Sequence, residues 1–147
     1  VLGARLQPAA PAGMNASFVP GALRQEYLLG ALRVSSELVF VGKRTAAARV
    51  SVTNPGQLPA DIHVSFNGTA AVPLQPQADF VLASNFSSKA ADAQAVVRFQ
   101  PSLGVQLEVD GHDYVAAAPD AQAIAPGESI NIYYTVSLSL NVSEHLA

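Results

Sequence analysis

The chain has no cysteine and no tryptophan, and only 13% of its 147 residues are charged. The lack of cysteine excludes disulfide bonds, thiolate metal sites and thiol catalysis together. Eight Lys and Arg residues stand against eleven Asp and Glu residues, so we do not expect a nucleic-acid partner held on a basic surface. No apolar run approaches the roughly 20 residues that cross a bilayer, so we expect no membrane span. Stability must come from apolar burial and strand pairing.

Residue types that carry catalysis are present, but their spacing matches no known site. The chain has neither a G-x-S-x-G elbow nor a glycine-rich phosphate loop. The possible ligands of a metal ion are spread along the chain: His63, His112, His145, Asp110, Asp113, Asp120 and Glu128. They match no zinc or calcium pattern. We therefore predict that the chain is not an enzyme and has no catalytic residues, no metal ligands and no cofactor.

Alternation of apolar and polar residues dominates the second half of the chain. The stretch "SINIYYTVSLSLNVS", from Ser129 to Ser143, alternates throughout, which is typical of a β-strand. Shorter alternating runs are separated by turn signals, including Asp110-Gly111, a strong hairpin signal. The stretch "QEYLLGALRV" is ambiguous, because its spacing also suits a helical turn. We predict an all-β fold, a two-sheet β-sandwich of immunoglobulin-like or jelly-roll type, over residues 25–147.

Residues 1–24 are dense in Pro, Gly and Ala and have no sustained period. We interpret them as an extended N-terminal arm and a candidate donor strand. The arm carries apolar residues that favour burial in an assembly, namely Val1, Leu2, Ala4, Leu6, Phe18, Val19 and Leu23. Together with the low content of charged residues, these apolar residues predict that the binding partners of the chain are copies of itself. We also expect the long C-terminal strand to pair partly with a neighbouring copy.

Four of the six asparagines lie in N-x-S/T sequences, the pattern that N-glycosylation requires. These candidate glycosylation sites are Asn15, Asn67, Asn85 and Asn141. The chain also begins at Val1 rather than at Met, as a processed secreted chain would. We therefore expect an extracellular or cell-surface location. The four tyrosines are expected to serve core packing and strand pairing rather than to form a carbohydrate platform.

Two stretches, "ARVSVTNPGQLPADIHVSF" and "AIAPGESINIYYTVSLSL", resemble the immunoglobulin-like domains of prokaryotic surface proteins. With the arm and the glycosylation sequences, the chain is similar to archaeal bundling-pilus and thread subunits, which resemble bacterial biofilm-matrix fibre proteins. The resemblance implies a sandwich with an incomplete sheet that the N-terminal arm of a neighbouring subunit completes. The resulting hypothesis is a structural subunit of a glycosylated extracellular filament. The alternatives are a viral capsid or capsid-decoration jelly roll and a monomeric adhesion module.

Overall fold

The structure of the chain, a computed structural model, describes residues 3–4, 12–84 and 93–139. In these ranges the regular structure consists of β-strands and one 3₁₀ turn. The strands of the first half are β1 (Gly3–Ala4), β2 (Ala12–Val19), β3 (Ala22–Leu29), β4 (Leu32–Phe40), β5 (Thr45–Thr53), β6 (Ala60–Ile62) and β7 (Ser65–Thr69). Those of the second half are β8 (Leu74–Pro76), β9 (Phe80–Ser84), β10 (Gln94–Phe99), β11 (Gln106–Asp110), β12 (Asp113–Ala117), β13 (Gln122–Ile124) and β14 (Ser129–Ser139).

The strands form a large sheet with two smaller sheets packed on one of its faces. The large sheet has eight strands in the order β2-β3-β4-β5-β14-β10-β9-β8. The smaller sheets are β1-β7-β12-β11 and the pair β13-β6. We call the face of the large sheet that meets the smaller sheets the inner face, and the opposite one the outer face. The predicted all-β, two-sheet sandwich is confirmed.

The long C-terminal strand lies in the middle of the large sheet. Residues 129–137 of β14 pair antiparallel with β5, and residues 134–139 pair with β10. The strand therefore has neighbours of its own chain on both sides, which explains its length. That the strand also pairs with a neighbouring copy beyond this part stays a prediction, and residues 140–143 lie outside the described residues.

The core forms between the inner face and the smaller sheets around a group of aromatic rings. The Phe66 ring of β7 lies 4.9 Å from that of Phe99 on β10 and 5.6 Å from that of Tyr134 on β14. The rings of Phe99 and Tyr114 are 5.9 Å apart. These distances are typical of favourable aromatic pairs. The rings join the two layers because they come from strands of both.

The described part of the N-terminal segment differs from the predicted extended arm. Residues 12–19 form β2, which pairs antiparallel with β3 of the same chain. Gly3 and Ala4 pair with Thr69 and Gly68 at the edge of the four-stranded sheet. Both pieces extend sheets of their own domain because antiparallel neighbours satisfy their backbone groups locally. Val1, Leu2 and Leu6 lie outside the described residues.

The turn after β5 brings together the two stretches that carry the sequence resemblance. The Asn54 N–H donates to the Glu128 carbonyl at 3.0 Å, and the Gly127 N–H donates to the Asn54 carbonyl at 2.8 Å. The Asn54 side chain is 3% exposed and donates to the carbonyls of Leu58 and Ile124. This asparagine therefore ties the start of β14 to the end of β5.

Candidate functional site

Two of the four predicted glycosylation sites lie in the described residues. Asn15 is exposed on β2, and Asn67 is half-buried on β7. Gly68, between Asn67 and Thr69, lies against Tyr114, and a Cβ atom there would come within 2.6 Å of the Tyr114 ring. Asn85 and Asn141 fall outside the described residues.

The two histidines in the described part of the chain, His63 and His112, do not converge on a metal site. His63 is exposed between β6 and β7, and His112 lies in the β11–β12 turn, where its Nδ1 is 3.1 Å from the Ala70 carbonyl. Over the described ranges, no group of three or more His, Asp or Glu side chains could hold a metal ion. In the same ranges, no helix has the length and apolarity to cross a membrane. His145 lies outside them.

A row of side chains crosses the outer face of the large sheet on four adjacent strands. Arg24 lies opposite Glu37, Glu37 opposite Arg49, and Arg49 opposite Tyr133. Arg24 Nε donates to Glu37 Oε1 at 2.8 Å, and Arg49 Nη2 donates to Glu37 Oε2 at 3.2 Å. One carboxylate thus holds two guanidinium groups in place. We call these four residues the polar row.

The polar row is accessible to a ligand. The side chains of Arg24 and Arg49 are 58% and 54% exposed, and Tyr133 is 46% exposed. Gln100 fixes the backbone of Tyr133, because its Oε1 accepts the Tyr133 N–H at 3.0 Å. Each guanidinium has five N–H donors, so donors remain after the bonds to Glu37. Of the tyrosines, Tyr114 packs in the core, whereas Tyr133 lies in strand β14 with its side chain exposed.

The outer face carries more positive than negative charge, although the whole chain has a net charge of -3. The strand register places four arginines against two glutamates on this face: Arg24, Arg33, Arg49, Arg98, Glu26 and Glu37. Arg98 also lies near Asp79, with 4.0 Å between Nε and Oδ2. The face therefore favours a ligand that is polar and negatively charged.

The inner face has a concave feature near the β4–β5 turn. A cavity of about 490 Å³ lies between this end of the large sheet and residues 70–72. Its walls are mainly apolar and include Phe40, Val136 and Leu138, with Lys43 in the turn beside them. The cavity has few polar groups that could orient a polar ligand, in contrast to the polar row.

Burial changes the acidity of the core tyrosines. Tyr114 is 3% exposed, and its hydroxyl has no hydrogen-bond partner within the described part of the chain. Desolvation, followed by the influence of Tyr134, raises the pKa of Tyr114 to about 12. Burial also raises the pKa of Tyr27 and of Tyr134. Each of these hydroxyl groups therefore stays neutral in the folded protein up to a higher pH than an exposed tyrosine would.

We expect Tyr114→Phe to keep or slightly raise the free energy of unfolding at pH 7, by up to about 1 kcal/mol, because it removes an unpaired buried hydroxyl. Above pH 10 an unfolded tyrosine ionises while folded Tyr114 stays neutral until about pH 12. The stability of the parent protein should therefore fall between these values, and that of Tyr114→Phe should fall less. Urea unfolding from pH 7 to 11.5 measures both effects. An alkaline slope in Tyr114→Phe equal to that of the parent chain would contradict the assignment.

Comparison with known proteins shows a similarity of fold. No protein-family model and no curated protein sequence matches the chain. Among solved structures, a candidate aldose 1-epimerase from Escherichia coli K12 matches with a TM-score of 0.59 and 13% identity over 86% of this chain. A candidate aldose 1-epimerase from Klebsiella pneumoniae has a TM-score of 0.56 and 15% identity over 90%. A candidate kojibiose phosphorylase from the human microbiome has a TM-score of 0.55 and 7% identity over 82%.

The chain is shorter than these neighbours, since it spans 68%, 55% and 18% of their respective lengths. The prediction that the chain is not an enzyme is wrong, because the same β-sandwich occurs in structures described as candidate aldose 1-epimerases. The prediction failed because it depended on catalytic sequence motifs. In a sandwich of this kind, functional side chains can be brought together by strand register without any local motif.

Proposed function

We propose that the chain is a saccharide-binding β-sandwich domain of a carbohydrate-active enzyme, and that the polar row binds an acidic saccharide. The observation that carries the proposal is the polar row itself. It combines an exposed aromatic ring with two guanidinium groups held by one carboxylate. The similarity of fold to candidate aldose 1-epimerases and to a candidate phosphorylase supports the carbohydrate assignment.

The chemistry of the polar row suits a sugar acid. The ring of Tyr133 offers an apolar face on which the C–H groups of a sugar ring can stack. Arg49, directly beside it, can pair with a carboxylate or sulfate through two parallel N–H bonds. Four strands at a spacing of about 4.8 Å give a row about 14 Å long, which suits a short oligosaccharide. Glu37 accepts a hydrogen bond from each of the two arginines and so restricts their movement before a ligand binds.

Isothermal titration calorimetry with polygalacturonate and with neutral dextran tests the proposal. We expect polygalacturonate to bind at least tenfold more tightly than dextran, and the difference to shrink as salt screens the arginines. Arg49→Ala should weaken polygalacturonate binding at least tenfold, and Tyr133→Ala should weaken it by a similar factor. Glu37→Gln should have a smaller effect, because the arginines keep their charge but lose their anchor.

Two control variants separate the polar row from general charge and general aromatic contact. Lys43→Ala removes one positive charge from the β4–β5 turn, and Phe40→Ala removes an exposed ring from the inner face. Both should bind polygalacturonate as the parent chain does. Equal binding of dextran and polygalacturonate, or equal losses in Lys43→Ala and Arg49→Ala, would overturn the proposal.

A second candidate function is a subunit of a secreted, N-glycosylated extracellular filament. The observation that favours it is the exposure of apolar residues of the N-terminal segment, with Phe18 at 75%, Val19 at 41% and Leu23 at 39%. None of the solved structures described above is a pilus or biofilm-fibre protein. Negative-stain electron microscopy tests this candidate, since long fibres would support it and uniform small particles would contradict it.

A further inference from the structure

One edge of the large sheet lacks the features that normally keep edge strands apart. Within residues 12–84 and 93–139, no strand lies beyond β2 in this sheet. From Asn15 to Val19 the strand pairs regularly with β3, so alternate backbone groups point away from the sheet. Its sequence, "AGMNASFV", contains no charged residue and no proline. A regular, uncharged edge of this kind invites another strand.

Two other outer strands, β8 and β11, are protected. At the opposite edge of the large sheet, β8 has three residues and ends in Pro76. In the four-stranded sheet, β11 carries Glu108 and Asp110, which are both exposed. Short length, proline and charge all disfavour strand addition. On β2 the irregularity is confined to Ala12–Asn15, and the remainder is free of these features.

Apolar side chains on the inner face are more exposed near β2 than near β10. One row across the sheet contains Phe18, Leu23, Leu38, Ala48, Tyr134 and Phe99. Phe99 is 2% exposed and Ala48 is 6% exposed, whereas Leu23 is 39% and Phe18 is 75% exposed. The smaller sheets thus cover the row at its β10 end and leave it open at the β2 end. The free edge and the uncovered apolar side chains coincide.

We propose that β2 pairs antiparallel with β2 of a second copy and joins the two large sheets into one. A two-fold axis perpendicular to the sheet lets β2 of each copy pair with β2 of the other. Both copies then use the same surface, which is the isologous arrangement of most dimers. The inner faces then lie on the same side of the joined sheet. Phe18 of each copy packs near the neighbouring β2 and loses exposure to water. Because β2 is uncharged, no like charges face each other across the seam.

Sedimentation velocity of the whole chain at rising concentration tests the proposal. The parent chain should form a dimer, and Ala16→Lys and Phe18→Lys, which place charges on the inner side of the edge, should each raise the dissociation constant at least tenfold. Val115→Lys is the matched control, because Val115 is also an apolar strand residue, 45% exposed, but lies on β12. It should leave the dimer unchanged. Circular dichroism shows whether each variant keeps its β-structure.

The register can be located because the chain has no cysteine of its own. Single cysteines placed by Asn15→Cys, Ala16→Cys, Ser17→Cys and Phe18→Cys each give a protein with one thiol. Antiparallel partners lie about 4.5–5.5 Å apart, within disulfide reach, so one of these variants should form an oxidised dimer much faster than Val115→Cys. A parent chain that stays monomeric, a dimer that resists Ala16→Lys and Phe18→Lys, or equal oxidation at all positions would overturn the proposal.

Discussion

Phe99→Ala should lower the free energy of unfolding by about 3–5 kcal/mol, the usual cost of removing a buried phenylalanine ring. The ring is 2% exposed and contacts Phe66 of the opposite layer at 4.9 Å between centroids. It also lies 5.9 Å from Tyr114, so its loss leaves a gap between both layers. A typical domain has about 5–15 kcal/mol of stability, so this one change removes a large share. Urea unfolding followed by far-UV circular dichroism measures it.

The matched control is Phe40→Ala, because Phe40 is also a strand phenylalanine on the inner face but is 67% exposed. Its free energy of unfolding should change by less than about 1 kcal/mol. Similar losses for the two variants would mean that the smaller sheets do not cover the inner face at β10. Measurement at low protein concentration keeps any dimer contribution out of the comparison.

The strands that the sequence predicts well are those whose two sides differ in polarity. In β14, Ile130 and Ile132 lie on the inner face, while Asn131 and Tyr133 lie on the outer face, so the period of two is visible. The hairpin was also predictable, because Asp110-Gly111 is a strong turn signal. In the structure Gly111 adopts a φ of 60° in the turn between β11 and β12. The strand and the hairpin were predictable because each depends on the residue types of one short stretch.

The strands β2 to β4 were harder to predict because their local signals conflict. In "QEYLLGALRV", Tyr27, Leu28 and Leu32 also suit one side of a helix. The structure instead places a turn at Gly30, with a φ of 60°, between β3 and β4. This segment forms strands because β4 pairs with β5 and β3 pairs with β4, which extends the sheet that contains β14. Residues 12–19 likewise form a strand because they pair with β3, although their composition indicates an extended arm.

The polar row could not be predicted from spacing. Arg24 and Glu37 are 13 positions apart, and Glu37 and Arg49 are 12 positions apart, without a shared motif. Tyr133 joins them because β14 pairs with β5, which is a contact between distant parts of the chain. Only the strand order and register bring the four side chains into line. A site of this kind follows from the topology rather than from any short stretch of sequence.

Asn54→Ala should lower the free energy of unfolding by about 2–4 kcal/mol, because it leaves buried backbone groups without partners. Asn54 is polar but buried, since it is only 3% exposed. Its Nδ2 donates to the Leu58 carbonyl at 2.8 Å and to the Ile124 carbonyl at 3.0 Å, and its Oδ1 accepts the Gly56 N–H at 3.0 Å. Thermal unfolding and urea unfolding both measure the loss.

Two further variants identify hydrogen bonding as the cause. Asn54→Asp has nearly the same shape and can still accept the Gly56 N–H, but it loses both donated bonds and adds a buried charge. It should be at least as unstable as Asn54→Ala at pH 7, and part of the loss should be recovered as the pH falls and the carboxyl group is protonated. Asn131→Ala, at an exposed position on β14, should change stability by less than about 0.5 kcal/mol. If Asn54→Asp were as stable as the parent chain, the two donated bonds could not be what stabilises the contacts of the β5 turn with Leu58 and with the end of β13.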